Sequence, residues 1–279
     1  MHRRFLSSVA PSVRARLWFL VAVVAVPAAL LSGWLIFRSY RTEWLAMERR
    51  LVENARGFSA LIDAELRERV AMAQSLAGTH ALLSGDLAAF RVRAERLVVR
   101  PGEWVMLVDA DGRELVNTRL PADAELSRVA IAAEIAAAPD RALPYVSNLI
   151  VADETPRHSV WVMARARIGN DDSGFVILAL TPEALQASLM RDRLRDRRVI
   201  AVIDRNQIVV ARSRAPEAFV GEQATAQIRQ AAAGANEGVT ESVTLDGYPS
   251  IAAFSTSTES GWMVVVASHK SDLFDPAKQ

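Results

Sequence analysis

Residues 17–37 read LWFLVAVVAVPAALLSGWLIF, a run of 21 residues without a charged side chain between Arg16 and Arg38. As a helix with a rise of about 1.5 Å per residue, this run is roughly 32 Å long, which matches a hydrocarbon core of about 30 Å. An uncharged run of this length is typical of a transmembrane helix. Pro27 lies near its middle, where a membrane helix tolerates a kink better than a soluble helix does. The sequence therefore predicts a membrane anchor over 17–37.

The charges on either side of this run predict its orientation. Residues 1–16 contain four arginines and no acidic residue, and positively charged flanks stay in the cytoplasm. We therefore expect a cytoplasmic tail over 1–16 and an extracytoplasmic location for the residues after 38. The alternative is a cleaved secretory signal, but signal cores are about 7–15 residues long and precede a small-residue cleavage site. The run is longer than that, and FRSYRTEW follows at 37–44, so we favour the retained anchor.

The composition excludes several kinds of site. The net charge is +1, and because four positive charges lie in the tail, the rest of the chain is slightly acidic, unlike a nucleic-acid-binding protein. Cysteine is absent, which excludes disulfides, thiolate metal sites and cysteine nucleophiles. The four histidines share no metal-ligand spacing, and the sequence has no phosphate-binding glycine loop or nucleophile elbow. We expect no catalytic residue, metal or cofactor in this chain.

The residues from 40 to about 76 predict a long helix that continues from the anchor. They contain no proline and one glycine. Apolar residues recur every three, four or seven positions and so form one stripe along the helix. The stripe consists of Trp44, Leu51, Ala55, Phe58, Ile62, Leu66 and Val70. Either the helix packs on its own domain, or the same stripe also packs on a second copy; we expect a homodimer through this helix.

Two similar stretches follow the long helix. LVDADGRELVNT at 107–118 and VIDRNQIVVARS at 202–213 both predict a β-hairpin. The strand-like stretches at 159–180 and 250–268 are also alike, since each opens its last strand with glycine and an aromatic residue. Between the first hairpin and its strands, the alanine-rich residues 122–138 predict a helix. We therefore expect an α+β protein with two copies of one unit, each a hairpin, a helix and three antiparallel strands.

The polar candidates for a ligand site lie on and around the sheet of the first unit. They are Tyr145, Asn148, Trp161, Arg165 and Arg167. Because side chains alternate along a strand, Trp161 and the two arginines share one face, and an arginine near an aromatic ring can clamp a carboxylate or phosphate. We expect an acidic or polar organic ligand in the first unit and none in the second. The other interpretation is that the arginines face solvent above a packed tryptophan.

This order of elements resembles the double Cache (PAS-like) sensor domain of bacterial membrane receptors. PYVSNLIV at 144–151 and SVWVMARARIGNDDSGFVILALTPEAL at 159–185 are most similar to the sensor regions of membrane histidine kinases. The resemblance covers about residues 40–275. It implies a small-molecule sensor on the outer side of the bacterial inner membrane. The first unit would be distal to the membrane and hold the ligand, and the second would lie near the membrane and relay the signal.

The resemblance also implies a domain organisation. Its parts are a cytoplasmic tail (1–16), a transmembrane helix (17–37), a helical stalk and connector (38–100), a membrane-distal Cache unit (101–190) and a membrane-proximal Cache unit (191–275). Members usually continue into a second membrane helix and a cytoplasmic output domain, so we expect a fragment, most similar to a histidine kinase. A chemoreceptor or diguanylate cyclase uses the same input. A membrane-anchored scaffold that binds a protein and no small molecule is the alternative from another class.

Some members of this family bind amino acids through an Arg-x-Trp-Tyr cluster before a strand and an aspartate on the last strand. Here the cluster reads Arg141-Ala-Leu-Pro-Tyr145, and Ala179 stands near the place of the aspartate. Both halves of the pattern have changed, so the resemblance does not imply an amino-acid ligand.

Overall fold

The structure is a computed structural model that describes residues 13–129, 144–151, 158–169, 171–190 and 198–270, with few side chains described before residue 47. By its contacts the chain divides into two units, Met1–Arg50 and Leu51–Gln279. Among the described residues, no helix carries a stretch sufficiently long and apolar for a membrane crossing. The anchor over 17–37 stays a prediction.

A single long helix, α1 (Val13–Ala77), opens the described chain and is 65 residues long, which confirms the long helix expected after residue 40. The apolar stripe on α1 is buried within one chain. Its residues Leu51, Ala55, Phe58, Ile62 and Leu66 are each at most 5% exposed. The stripe therefore packs on its own domain, the first of the two interpretations, and a second copy would have to use another face of α1.

Five shorter helices and eleven strands follow within the described residues. The helices are α2 (His80–Leu83), α3 (Leu87–Leu97), α4 (Pro182–Met190), α5 (Pro216–Phe219) and α6 (Ala226–Ala232). The first six strands are β1 (Glu103–Val108), β2 (Glu114–Asn117), β3 (Tyr145–Val146), β4 (Ile150–Val151), β5 (His158–Ile168) and β6 (Asp171–Leu180). The others are β7 (Val199–Ile203), β8 (Val209–Arg212), β9 (Glu237–Val243), β10 (Pro249–Thr256) and β11 (Met263–His269).

Antiparallel pairing arranges these strands in two sheets. The first has six strands in the order β2-β1-β6-β5-β3, with β4 beside β5, and the second has five in the order β8-β7-β11-β10-β9. The hairpins expected at 107–118 and 202–213 are β1–β2 and β7–β8, each with a register shift close to its turn. In both sheets the hairpin forms one edge, and the last strand in sequence pairs with it. The expected α+β class, a long helix followed by antiparallel sheets, is confirmed.

The alanine-rich segment after the first hairpin differs from the expectation. The sequence predicts a helix over 122–138, but the described part, which ends at Val129, contains turns and irregular backbone instead. The Glu114 N–H donates to the Ser127 carbonyl (3.0 Å), and the Val129 N–H donates to the Gly112 carbonyl (2.9 Å). Pairing with the hairpin thus outweighs the helix propensity of alanine. The rest of the segment lies outside the described residues.

Polar contacts tie α1 to both sheets. Arg69 is 1% exposed and donates from Nη2 to Oε1 of Glu103, the first residue of β1 (2.7 Å). Asp63 accepts hydrogen bonds from the hydroxyls of Ser257 (2.7 Å) and Ser260 (3.2 Å) in the β10–β11 loop. A buried ion pair therefore holds the first sheet to α1, whereas hydroxyl–carboxylate bonds and exposed ion pairs hold the second.

Candidate functional site

One face of the first sheet carries a buried cluster with four aromatic rings. Alternate residues of β1, β5 and β6 contribute to it because successive side chains point to opposite faces. Its members are Trp104, Met106, Val108, Tyr145, Trp161, Met163, Phe175, Ile177 and Ala179. We call this surface the aromatic face. The predicted residues Tyr145 and Trp161 both belong to it and are buried. Trp161 donates its Nε1–H to Ser159 Oγ (3.1 Å), so its one polar atom is satisfied.

Two exposed arginines border the aromatic face. The Arg165 guanidinium lies 5.5 Å from the centroid of the Phe175 ring, and the Arg119 guanidinium lies 5.2 Å from that of Trp104, both within cation–π range. Arg119 follows β2 in the chain, and no local pattern marked it in the sequence. The predicted Arg167 is also exposed and donates its Nε–H to the Gly169 carbonyl (3.2 Å), so it binds the adjacent turn.

Asn148 belongs to a different cluster, where the two sheets meet. Arg205, in the β7–β8 turn, donates from Nη1 to Asn148 Oδ1 (3.0 Å) and from Nη2 to the Val146 carbonyl (2.7 Å). Its guanidinium lies 5.1 Å from the Tyr145 ring centroid, so Tyr145 takes part in both clusters. Sequence reasoning missed Arg205 because a charged residue in a hairpin turn is normally solvated.

Asp204 adds to this junction from the same turn. Its side chain is 1% exposed, and Oδ2 accepts a hydrogen bond from the Leu149 N–H (2.9 Å), while Oδ1 accepts from two N–H groups of its own turn. Nearby, a Cβ added at Gly221 would lie 2.9 Å from Cε1 of His158. The loop of the second sheet therefore approaches β5 as closely as glycine permits.

A cavity of about 500 Å³ lies beside this junction. It is bordered by α1, β3, the β7–β8 turn and the β10–β11 loop. Its polar lining consists of Asp63, Arg67, Tyr145, Arg205, Thr258, Glu259 and Ser260. We call it the junction cavity. Of the predicted residues only Tyr145 lines it, so the structure divides the predicted set between the aromatic face with its rim and the junction.

The corresponding face of the second sheet is filled by its own side chains. Phe254, Met263 and Val265 of the sheet cluster with Ile228 of α6. A cavity of about 50 Å³ remains beneath α6, with a mainly apolar lining. Ligand pockets generally measure about 300–1,000 Å³, so this face has room for a few solvent-sized molecules only.

Comparison with known proteins identifies the fold. The sequence matches no protein-family profile and no curated protein. Among solved structures, the ligand-binding domain of the Pseudomonas fluorescens chemoreceptor CtaA, in complex with L-isoleucine, matches with a TM-score of 0.64 at 15% identity, over 85% of this chain and 98% of that domain. The sensor domain of the V. cholerae histidine kinase DctB matches with a TM-score of 0.58 at 14% identity, over 82% of this chain and 99% of that one.

A third match is the periplasmic sensory domain of the Campylobacter jejuni chemoreceptor Tlp1, with a TM-score of 0.57 at 13% identity, over 84% of this chain and 99% of that domain. At such low identities the likeness shows the fold. The resemblance predicted from the sequence is confirmed at that level, and this chain has the fold of the extracytoplasmic sensor domains of histidine kinases and chemoreceptors.

Proposed function

We propose that this chain is the ligand-sensing input region of a transmembrane signalling receptor, and that the receptor is a histidine kinase. The observation that carries the proposal is the fold, a long helix and two sheets in which five strands follow the same order. This fold is shared over more than four-fifths of the chain with sensor domains of that kind. A chemoreceptor is the second candidate, because two of the matched domains come from chemoreceptors.

The proposal includes a bacterial inner-membrane location and the domain organisation predicted from the sequence. Residues 17–37 would cross the membrane, with 1–16 inside. Residues 101–190 and 191–275 would be tandem Cache units, a division that the common strand order of the two sheets supports. A reporter fused after residue 279 should be active outside the cytoplasm, and one fused before Arg16 inside. Replacing the four tail arginines by glutamate should weaken this orientation, and a cytoplasmic reporter at the far end would contradict the proposal.

We place the ligand on the aromatic face. Its rings offer a flat apolar surface, and Arg165 and Arg119 stand at the border with cationic groups that suit an acidic or polar organic molecule. Trp161 and Tyr145 would contact the ligand, and Arg165 would clamp its acidic group. Asn148 and Arg167 would have indirect roles, since Arg205 binds the first and the second binds its own turn.

A thermal-shift screen tests this site. Full chain in detergent is heated with carboxylates, amines and purines. A ligand at 100 times its Kd stabilises the native state by about 2.7 kcal/mol. Arg165→Ala and Trp161→Ala should abolish the response to any hit. Tyr248→Ala removes an exposed ring in the β9–β10 turn and should retain the response. A response that survives Trp161→Ala would mean that the ligand binds elsewhere. The absence of a response to any compound would favour the scaffold alternative.

We propose that the receptor is a homodimer through α1. Because the apolar stripe is buried in its own domain, the contact would use the exposed face that carries Ala60, Leu61, Ala64 and Glu68. The native chain has no cysteine, so a cross-link can form only between the introduced cysteines of two copies. Cross-linking should peak at these exposed positions and vanish at Phe58 and Ile62, with a period near 3.6. Yields that do not vary with position would indicate a monomer.

A further inference from the structure

The junction cavity is separate from the aromatic face and has the size of a ligand site. Its volume of about 500 Å³ falls within the roughly 300–1,000 Å³ typical of small-molecule pockets. Its lining comes from α1, from β3 of the first sheet and from two loops of the second sheet. A molecule held there would contact the long helix and both sheets at once.

The charges in the lining are only partly paired. Arg67 and Glu259 form an ion pair (Nη1–Oε1 2.6 Å), and both side chains are more than half exposed, so they satisfy each other at the solvent side. That leaves one anion, Asp63, and one cation, Arg205, in the lining. Neither makes an ion pair with any residue in the described part of the chain.

Asp63 is a half-buried carboxylate that pairs with no cation among the described residues. The hydrogen bonds that it accepts from Ser257 and Ser260 both go to the same oxygen, Oδ1. Arg67 lies one helical turn further on, where an i,i+4 pair would be possible, but it binds Glu259 instead. Removing a carboxylate from water without a counter-charge is costly. The Oδ2 atom is therefore a ready acceptor for a positively charged donor.

Arg205 is a half-buried cation whose partners are neutral. Its guanidinium donates to the Val146 carbonyl, Asn148 Oδ1 and the Tyr145 hydroxyl, and its Nε–H makes no hydrogen bond within the described residues. A guanidinium has five N–H donors, so a carboxylate can still be added to this set. Gly261 leaves the space that Arg205 occupies, because an added Cβ would lie 3.2 Å from Nε.

The rest of the lining is apolar and comes from Leu66, Val70, Pro144 and Val146. Within the described part of the chain, the lining thus offers an apolar wall, a carboxylate on α1 without an ion-pair partner and a guanidinium on the β7–β8 turn without one. This combination is complementary to one class of molecule. We infer that the junction cavity is a second binding site, for a small zwitterion whose ammonium group binds Asp63 and whose carboxylate binds Arg205. This goes beyond the ligand proposed for the aromatic face, because the second ligand would brace α1 against both sheets.

The test uses the full chain in detergent and three zwitterions that differ in the distance between their charges: L-valine, β-alanine and γ-aminobutyrate. Isobutylamine and isovalerate, which each carry one of the two charges of valine, are the matched controls. At least one zwitterion at 20 mM should raise the melting temperature, and the single-charge analogues should not. No shift with any of the three zwitterions, or an equal shift with a single-charge analogue, would overturn the inference.

Variants locate the site. Asp63→Asn keeps an oxygen for the two serine hydroxyls but removes the charge, so it should weaken binding at least tenfold, and Arg205→Lys should weaken it as well. Glu53→Gln neutralises an exposed carboxylate elsewhere on α1 and should leave binding unchanged. Binding that survives Asp63→Asn and Arg205→Lys but is lost in Trp161→Ala would place the zwitterion on the aromatic face. That outcome overturns this inference and leaves the proposed sensor function intact.

Discussion

The two sheets share one strand order but present different faces. The first sheet lines its face with Trp104, Tyr145 and Trp161. The second uses smaller residues, Ala252 and Ala267 among them, around Phe254, and packs that face against α6. Aromatic rings offer broad, flat contact surfaces, whereas the face under α6 retains a cavity of only about 50 Å³. The same strand order thus carries two differently filled faces, with aromatic rings on the first sheet and smaller side chains beneath α6 on the second.

The sheets also differ in how they are held to α1. Arg69 and Glu103, whose side chains are 1% and 2% exposed, form a buried ion pair at the first sheet. At the second sheet, Arg56 pairs with Glu237, and these side chains are 56% and 42% exposed. Exposed pairs contribute little to stability because water and salt screen them. Losing one member of a buried pair is expensive because the other charge remains desolvated.

The largest expected effect follows from this contrast. Arg69→Ala should reduce the free energy of unfolding by about 3–5 kcal/mol, because it leaves the buried Glu103 carboxylate unpaired. Replacing both residues by leucine should cost less than Arg69→Ala alone, because the Glu103 charge is removed as well. Glu65, the other partner of Arg69, keeps its contact with Arg100. Urea unfolding followed by tryptophan fluorescence measures both. Arg56→Ala is the control at the second sheet and should change little; equal losses from Arg69→Ala and Arg56→Ala would contradict the difference between the two anchors.

Much of the fold could be predicted from the sequence because local patterns of apolar and polar residues mark its elements clearly. The hairpins contain alternating apolar residues around short polar turns, and both occur where expected. The helix expected over 122–138 is absent from the described part of that segment, up to Val129, although the residues are alanine-rich and Pro139 follows them. Hydrogen bonds of Ser127 and Val129 with the hairpin come from residues more than ten positions away, and a propensity scale does not contain them.

The site could be predicted only in part, for a related reason. Period-two alternation predicted that Trp161 shares one face of its strand with Arg165 and Arg167. It did not predict that Trp104 of β1 and Phe175 of β6 join Trp161 in one cluster. The contacts of Asn148 with Arg205 span 57 residues and depend on how the two sheets meet. The spacing of residues within one strand carries no information about such a contact. The same holds for Arg119, which reaches Trp104 from the end of the neighbouring strand.

Two glycines in loops of the second sheet allow two stability costs to be compared: that of backbone strain alone, and that of strain together with a lost contact to the first sheet. Gly247 (φ +86°) has open space where a Cβ would be, whereas at Gly261 (φ +70°) the Cβ would lie 3.2 Å from the Arg205 side chain. Gly247→Ala should cost about 1 kcal/mol through its left-handed backbone. Gly261→Ala should cost about 2–3 kcal/mol, since it also displaces Arg205 from its hydrogen bonds at the junction. Equal costs in urea unfolding would mean that Arg205 contributes nothing to joining the sheets.

The stability of the protein should also depend on pH through one carboxyl group of the second sheet, that of Asp246. Burial opposes ionisation of Asp246, but hydrogen bonds from Arg212 and Thr244 outweigh it and hold the pKa of Asp246 below its usual value. A carboxyl whose pKa is lower in the folded state stabilises the fold above its unfolded pKa of about 3.9. That stabilisation is lost as the pH falls through the folded pKa.

Asp246→Asn should therefore lower stability at pH 7 and flatten its dependence on pH below about 4. Glu241 is a suitable control, because its side chain is 71% exposed in its pair with Lys270. Glu241→Gln should leave the acid limb of the profile as it is in the native chain. An unchanged acid limb in Asp246→Asn would show that other carboxyls account for the acid sensitivity.

The two hairpin turns give the smallest and most direct comparison. In each, the carboxylate of an aspartate, Asp109 or Asp204, accepts the N–H groups two and four positions on. The residue three positions on has a positive φ in both turns, but it is Gly112 (77°) in the first and Gln207 (63°) in the second. An L-residue with a side chain is strained in this region, at a cost of about 1–2 kcal/mol.

Gln207→Gly should therefore stabilise the protein by about 0.5–1 kcal/mol, since relief of the strain exceeds the entropy that glycine adds to the unfolded chain. The substitution breaks no side-chain hydrogen bond of Oε1, because that atom is buried without a partner among the described residues. The reciprocal change, Gly112→Gln, should destabilise the first turn by a similar amount. If Gln207→Gly lowers the midpoint of urea unfolding, the side chain of Gln207 makes packing contacts worth more than the strain, and the two turns are not equivalent.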